Sequence, residues 1–352
     1  MSIYIRSAAS VSAQNTLDNT QFLANPMEYT GTRVPVVDPD YKQYIDPKLI
    51  RRMSHVIKMG VAAAQQCLNN AQLQMPGAIV TGTALGCLED TYVFLSRIIE
   101  MEEEMLPPTA FIQSTHNTVG AQVALMLKCH AYNNTFVHKG VSFENALLDA
   151  ILLLKEGEAN DILVGGIDEL TDASYIVLER LGLYRRKPVN NLDLFRTTAK
   201  GSIGGEGASF VLLSDEASLE NLARLVALKT LFKPQVQISN MINDFLDEQG
   251  LTTNEVDVVI TGRNGDIRND AVYDVIPAMF ENSDIANYKH LTGEYSTASA
   301  FSMWLGANIV KRGEVPIATV QQKGKASTPP KNVLIYNHYQ NIYHSLLLLS
   351  AC

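Results

Sequence analysis

Residues 133–166 limit the fold more than any other part of this chain. A β-rich strand, a two-residue turn, an amphipathic helix and a second strand follow one another with no spare residues between them. The first strand is read at 134–138, the turn at Lys139-Gly140 and the helix at 141–154. Gly157 ends the helix, and 161–166 is the next strand. A tight strand-to-helix turn lifts its apex residue to the positive end of a helix, where backbone N–H groups and the macrodipole stabilise a thiolate or an oxyanion. The apex here is Gly140, which has no side chain to offer.

The same alternation of short apolar strands and amphipathic helices runs through the chain and predicts an α/β protein with largely parallel sheets. Residues 47–71 space Ile50, Met53, Ile57, Val61 and Ala64 on one helical face, and 78–83 is a strand running into a glycine turn. Helices follow at 88–101 and 119–127, with Glu102, Glu103 and Glu104 as a solvated acidic stretch, and a strand at 208–213 closes the first half. The second half repeats the plan, with a strand at 256–261 ending at Gly262, helices at 270–280 and 297–310, and strands at 332–336 and 346–349. This reads as a duplicated fold, divided into residues 1–215 and 216–352, with the join near 215–220 and no long linker.

Composition narrows the function. The 352 residues suffice for one large or two fused medium domains, and the net charge of −9 argues against nucleic acid or an anionic membrane as the general partner. Cys67, Cys87, Cys129 and Cys352 show no metal-type spacing, which predicts reduced thiols and a cytoplasmic protein. The first residues lack the basic start and long apolar core of a signal peptide, and the apolar run at 346–349 is too short to span a bilayer.

With both halves laid out, the chain resembles a β-ketoacyl synthase of the thiolase superfamily. The resemblance rests on Thr-Gly-Thr-Ala-Leu-Gly at 81–86 with Leu-Glu-Asp at 88–90, Ser-Thr-His-Asn-Thr-Val-Gly at 114–120, and Gly-Glu-Ala-Asn-Asp-Ile-Leu-Val-Gly-Gly-Ile-Asp-Glu at 157–169. The segment 201–213 is similar to the family's GxxxGEGAxxxVL, and Lys-His-Leu-Thr-Gly-Glu at 289–294 to its KxxTGH. The resemblance implies a thiolase fold, whose duplicated α/β halves form a five-layered αβαβα core. It also implies condensation of acyl groups carried as thioesters on the phosphopantetheine of an acyl carrier protein, with no other cofactor and no metal.

Carried over position by position, the family's catalytic set is degenerate. Its cysteine falls at Gly140, its first histidine at Thr261, with Arg263 as a competing occupant, and its second histidine at Glu294; Lys289 alone is retained. Glycine forms no thioester, threonine is a weaker donor than imidazole, and a carboxylate at 294 repels the negative charge that decarboxylation develops. Losing one oxyanion donor costs roughly a hundred- to a thousandfold in rate, so losing the nucleophile and both donors leaves no credible condensation. A Lys289–Glu294 ion pair is the expected filling of the emptied site. The family's glycine-rich NSFGFGGTN gating loop corresponds to the glycine-free stretch 337–344, a gate closed or rebuilt.

Other residues take plainer readings. Cys129 and Cys67 read as buried, Cys87 as a turn residue, and Cys352 as disordered. His138 reads as a core or interface histidine, His116 and Asn117 as structural residues beside the dimer interface, and Arg185, Arg186 and Lys187 as a solvated loop attractive to an acidic carrier protein. The resemblance therefore implies a chain-length-factor-type pseudoenzyme of type II fatty acid or polyketide biosynthesis. Such a subunit pairs as a heterodimer with an active ketosynthase across the strand at 134–138 and shapes its acyl pocket, as in aryl polyene systems. Two alternatives stand beside it: a β-ketoacyl-ACP synthase with an unrecognised nucleophile, and a homodimer that binds acyl carrier protein or lipid.

Overall fold

The computed structural model describes residues 2–325 and 329–352. Apolar runs form the strands β1 (Ile3–Val11), β2 (Ala78–Gly82), β3 (Tyr132–Phe136), β4 (Asp161–Asp168) and β5 (Gly207–Ser214) of the first half. The second half supplies β6 (Ala223–Phe232), β7 (Val258–Thr261), β8 (Asp284–Asn287), β9 (Val320–Gln322), β10 (Asn332–Tyr339) and β11 (Tyr343–Ser350). They join in one 11-stranded sheet, in the order β9-β8-β7-β10-β11-β6-β1-β5-β4-β2-β3.

That order contains the same sheet twice. Apart from β9, which is added outside β8 at the far edge, each half runs inward from its third strand to its second, then through its last two strands to its first: β3-β2-β4-β5-β1 and β8-β7-β10-β11-β6. Pairing directions agree as well. β2 runs parallel to β3 and β4 while β4, β5 and β1 pair antiparallel; β7 runs parallel to β8 and β10 while β10, β11 and β6 pair antiparallel. The halves meet where β1 pairs antiparallel with β6, Ile3 opposite Leu225.

Side chains alternate across each strand, so each half-sheet has two apolar faces to bury. The outer face of the first, including Ile79, Leu163 and Leu212, packs against α1 (His55–Asn70) and α3 (Thr118–Leu127), the helices on either side of α2 (Leu88–Glu100) in sequence. Its inner face, with Val80, Val164 and Val211, shares a core with Ile260, Ile335 and Leu347 of the second half. Between them lie α4 (Ser142–Glu156), with Ala146 and Leu147, and Phe301, Trp304 and Leu305 further along the chain. The outer face of the second half, Val259, Leu334 and Leu346, is covered by α5 (Ile238–Asp247). The result is the five-layered thiolase fold. The middle layer demands a helix apolar on all sides, and α6 (Ser299–Arg312) is buried from Ser299 to Val310.

Several elements depart from the sequence reading. The helix expected over 47–71 is broken into Pro47–Ile50 and α1, because Ser54 takes an extended conformation as an N-cap. The helix expected over 270–280 is a 3-10 turn at Asp270–Tyr273 and a short helix at Ile276–Met279, with Pro277 at its start. The strand at 134–138 lies two residues earlier, at β3, because its register is set by β2, Ala78 opposite Tyr132 and Gly82 opposite Phe136. The first strands of both halves, β1 and β6, and the outermost strand β9 are not among the strands the sequence leads one to expect. Cys352 follows an ordered ladder, where the Ala351 amide donates to Lys331 O at 2.8 Å, and is exposed rather than disordered.

Candidate functional site

The elbow forms as the sequence predicts and is occupied in a way it does not. After β3 the chain turns at Lys139, which takes a left-handed conformation with φ of 49°, unusual for a side-chain-bearing residue. Ser142, in the first turn of α4, wires the turn shut: its hydroxyl accepts from the His138 amide and donates to Lys139 O, each at 2.7 Å. Gly157 ends the helix with φ of 73°.

Gly140 is buried beneath the ring of Tyr339. A Cβ at position 140 would lie within 3.0 Å of Tyr339 Cβ, Cγ and Cδ2, a separation that real Cβ atoms do not show. Tyr339 cannot swing away cheaply, because these atoms are the root of its side chain. It ends β10, directly opposite Tyr343 of β11. The glycine-free stretch is a hairpin: Gln340 and Asn341 take φ of 53° and 54°, the signs of a type I′ turn, closed by the Ile342 amide donating to Tyr339 O at 3.0 Å.

The second half contributes an ion pair. Lys289 Nζ donates to Glu294 Oε1 at 3.1 Å and Oε2 at 2.9 Å, with the Lys289 side chain 3% and that of Glu294 18% exposed. Asn264 Nδ2 adds a third bond, to Oε2 at 2.8 Å. Thr261 does not join them. It lies opposite Asn287 in the β7–β8 ladder and its hydroxyl donates to Asn287 Oδ1, a cross-strand pair that turns it away from Glu294. Arg263 pairs with Asp274 at 2.5 Å. The residue this loop extends to Glu294 is therefore Asn264.

These groups border a pocket of about 150 Å³ lined by Lys139, Tyr184, Asn264, Glu294, His338 and Tyr339 among others. His338 is its one histidine among the described residues, and both ring nitrogens are engaged by backbone: Nε2 donates to Asn269 O at 3.0 Å and Nδ1 accepts from the Asn341 amide at 3.1 Å. Burial, reinforced by nearby Lys289, pushes its pKa down to about 3, so the ring is neutral and holds the hairpin in place.

The matching motifs converge around the pocket as structural joints. Asp168 Oδ1 accepts from Thr83 Oγ1 at 3.0 Å and the Ala84 amide at 2.8 Å, while Oδ2 accepts from the Thr297 amide at 3.0 Å and Oγ1 at 2.9 Å, tying the two halves together. Glu169 accepts from the Glu89 amide at the start of α2 at 3.1 Å, and Glu206 from the Leu170 amide at 3.0 Å. Burial and the neighbouring Glu206 carboxylate raise Glu169 to about 7. Among the described residues, no group of His, Cys, Asp or Glu is arranged to hold a metal ion.

The remaining candidates lie elsewhere. Cys67, Cys87 and Cys129 are buried; burial pushes Cys67 up to about 12, and burial with Glu169 nearby raises Cys87 further. His138 is exposed rather than in the core, with Nδ1 2.9 Å from Asn145 Nδ2 and its ring against Tyr343. Arg185 is not solvated: it is 3% exposed and donates to Thr197 Oγ1 and Gly265 O, leaving Arg186 and Lys187 at the surface. His116 and Asn117 are exposed. Sequence reasoning missed Tyr339, His338 and Asn264. The first two lie in the glycine-free stretch it singled out, and Asn264 carried no signal.

Residues 31–184 match the β-ketoacyl synthase N-terminal domain family. The 3-oxoacyl-[acyl-carrier-protein] synthase 2 of Synechocystis sp. is 26% identical over 204 residues; the match covers 54% of this chain and 48% of that protein, so the chain spans about half the length of this curated relative. Solved structures share the fold over the whole chain at low identity. A β-ketoacyl synthase from Burkholderia phymatum has a TM-score of 0.81 at 15% identity, with 100% of this chain and 99% of that one covered. The ishigamide ketosynthase/chain length factor has 0.80 at 18%, with the same coverage. A ketosynthase in complex with its chain length factor from Xenorhabdus doucetiae has 0.77 at 17%, covering 100% and 98%. Motifs, fold and relatives point the same way: the first half of the chain is similar to the β-ketoacyl synthase N-terminal domain, and the whole chain shares the fold of solved ketosynthases.

Proposed function

We propose that this chain is a non-catalytic subunit of the chain-length-factor type, which pairs in the cytoplasm with an active β-ketoacyl-ACP synthase of type II fatty acid or polyketide assembly and shapes its acyl pocket. The observation that carries the reading is the Tyr339 ring over Gly140, which leaves no volume for a nucleophile at the apex of the elbow. The Lys289–Glu294 pair supports it, since it sets a carboxylate where condensation needs a donor.

The surface supports pairing. β3 ends the sheet with no strand beyond it among the described residues, and an unpaired edge is a template for another chain. In the same half α2 is a 13-residue amphipathic helix with no buried residue, its Leu95 and Ile99 exposed along with Met105, Phe111 and Ile112 further on. An apolar ridge of this kind marks a protein interface. The fold relatives include ketosynthases solved with chain length factors, which makes such a subunit the partner of first choice.

A tagged chain purified gently from its native host tests the reading. A ketosynthase paralogue is expected in one-to-one ratio, and the isolated chain is expected to form no acyl adduct and release no CO2 with acyl- and malonyl-carrier proteins. Recovery of the chain alone, or an acylated residue on it, overturns the proposal.

A further inference from the structure

The pocket beside the blocked elbow has outlived the chemistry, and its lining describes a ligand of its own. Its volume of about 150 Å³ is that of cavities known to hold a single benzene ring, on the order of 150 Å³. Leu178, Leu183, Tyr184 and Tyr339 supply apolar and aromatic surface, while Glu294 and Asn264 supply polar atoms. Charge on the ligand is disfavoured in both signs. An anion meets the carboxylates of Glu294 and Asp266, offset among the lining residues by the exposed Lys139, and a cation competes with Lys289 and Arg268, which already neutralise those carboxylates. Glu294 is short of donors all the same. It accepts one bond at Oε1 and two at Oε2, and a carboxylate has about four lone-pair sites.

We propose that this pocket is a binding site for a neutral, ring-sized molecule carrying one hydrogen-bond donor, which rests between Leu183, Tyr184 and Tyr339 and donates to Glu294. Phenol is the simplest such molecule. The site belongs to this chain alone and does not require the pairing proposed above. Its failure in a binding experiment therefore leaves the subunit reading intact, and the absence of a partner leaves the pocket intact.

The test titrates the full chain with phenol and with toluene, its equal in size without the donor, following the methyl resonances of Leu178 and Leu183 and the heat of binding. Phenol is expected to saturate the site and to bind at least about tenfold more tightly than toluene, the worth of one hydrogen bond to a charged acceptor. Leu183→Trp, which fills the pocket, is expected to abolish binding of both. The double variant Lys289→Met/Glu294→Met removes the acceptor without stranding a buried ion. It is expected to bring phenol within about twofold of toluene, the loss of that one bond, with toluene binding unchanged. No saturable phenol binding, equal binding of phenol and toluene to the unaltered chain, or undiminished binding to folded Leu183→Trp overturns the proposal.

Discussion

The third strand of each half occupies the same place in its sheet and meets opposite conditions on both sides. β3 is partly exposed along its length and has no neighbour outward among the described residues; β8 is buried throughout, with β9 paired antiparallel along its outer edge. Inward the contrast reverses. β3 leads to Gly140, whose missing side chain leaves room for a ring from the other half, whereas β8 leads to Lys289 and Glu294, which fill their turn with a bonded ion pair. A duplicated fold thus leaves one edge open and closes the other. At the shared centre one half presents a bare glycine beneath a ring and the other a bonded ion pair.

The ion pair gives the largest expected effect. Glu294→Ala strands a nearly inaccessible ammonium and is expected to cost about 3–5 kcal/mol in urea unfolding, most of it recovered in Lys289→Met/Glu294→Met. A Glu294→Ala midpoint equal to that of the unaltered chain would break the contrast on its filled side.

Next in size is the end of β4, where Glu169 holds the counterpart of the Tyr339 turn in the first half. Its pKa is raised from 4.5 to about 7, first by burial and then by Glu206, so the folded chain binds this proton more tightly than the unfolded one. The associated stability is complete below about pH 4.5 and is lost as pH rises through 7, a change of about 3 kcal/mol. Glu169→Gln is expected to flatten that part of the pH–stability curve; an unaltered slope refutes the assignment.

Gly140→Cys addresses the emptied side. It is expected to cost about 1–3 kcal/mol through overpacking against Tyr339. The loss should be relieved by Tyr339→Ala in the same chain, and the thiol of the single variant should resist alkylation. A stable, readily alkylated Gly140→Cys would mean the elbow is open. The smallest effect concerns the edge. Tyr132→Lys with Asn134→Lys is expected to weaken association with the copurifying subunit about tenfold, near 1.4 kcal/mol, without moving the urea midpoint. Undiminished association would place the partner elsewhere.

Much of this was legible in the chain itself. Apolar runs separated by glycine turns announce the strands, the spacing of motifs locates Gly140, Lys289 and Glu294, and Lys289 and Glu294 lie five residues apart around a glycine turn, so their meeting is a local event. Local rules also fail in identifiable ways. Arg185 sits in a basic run that looks solvated, yet a loop from the second half buries it against Gly265 O. Thr261 takes its partner from the neighbouring strand instead of the pocket.

The amino-acid pattern alone determined most of the strands and helices, that the plan occurs twice, and that the apex of the elbow is a glycine, because these depend on period, turn residues and local spacing. Tertiary structure alone decided what fills the space above that glycine. Tyr339 reaches it from 199 residues away in sequence, through a hairpin whose register no local pattern specifies. It also decided which of two equivalent edge strands stays open, since that depends on where β9 folds back.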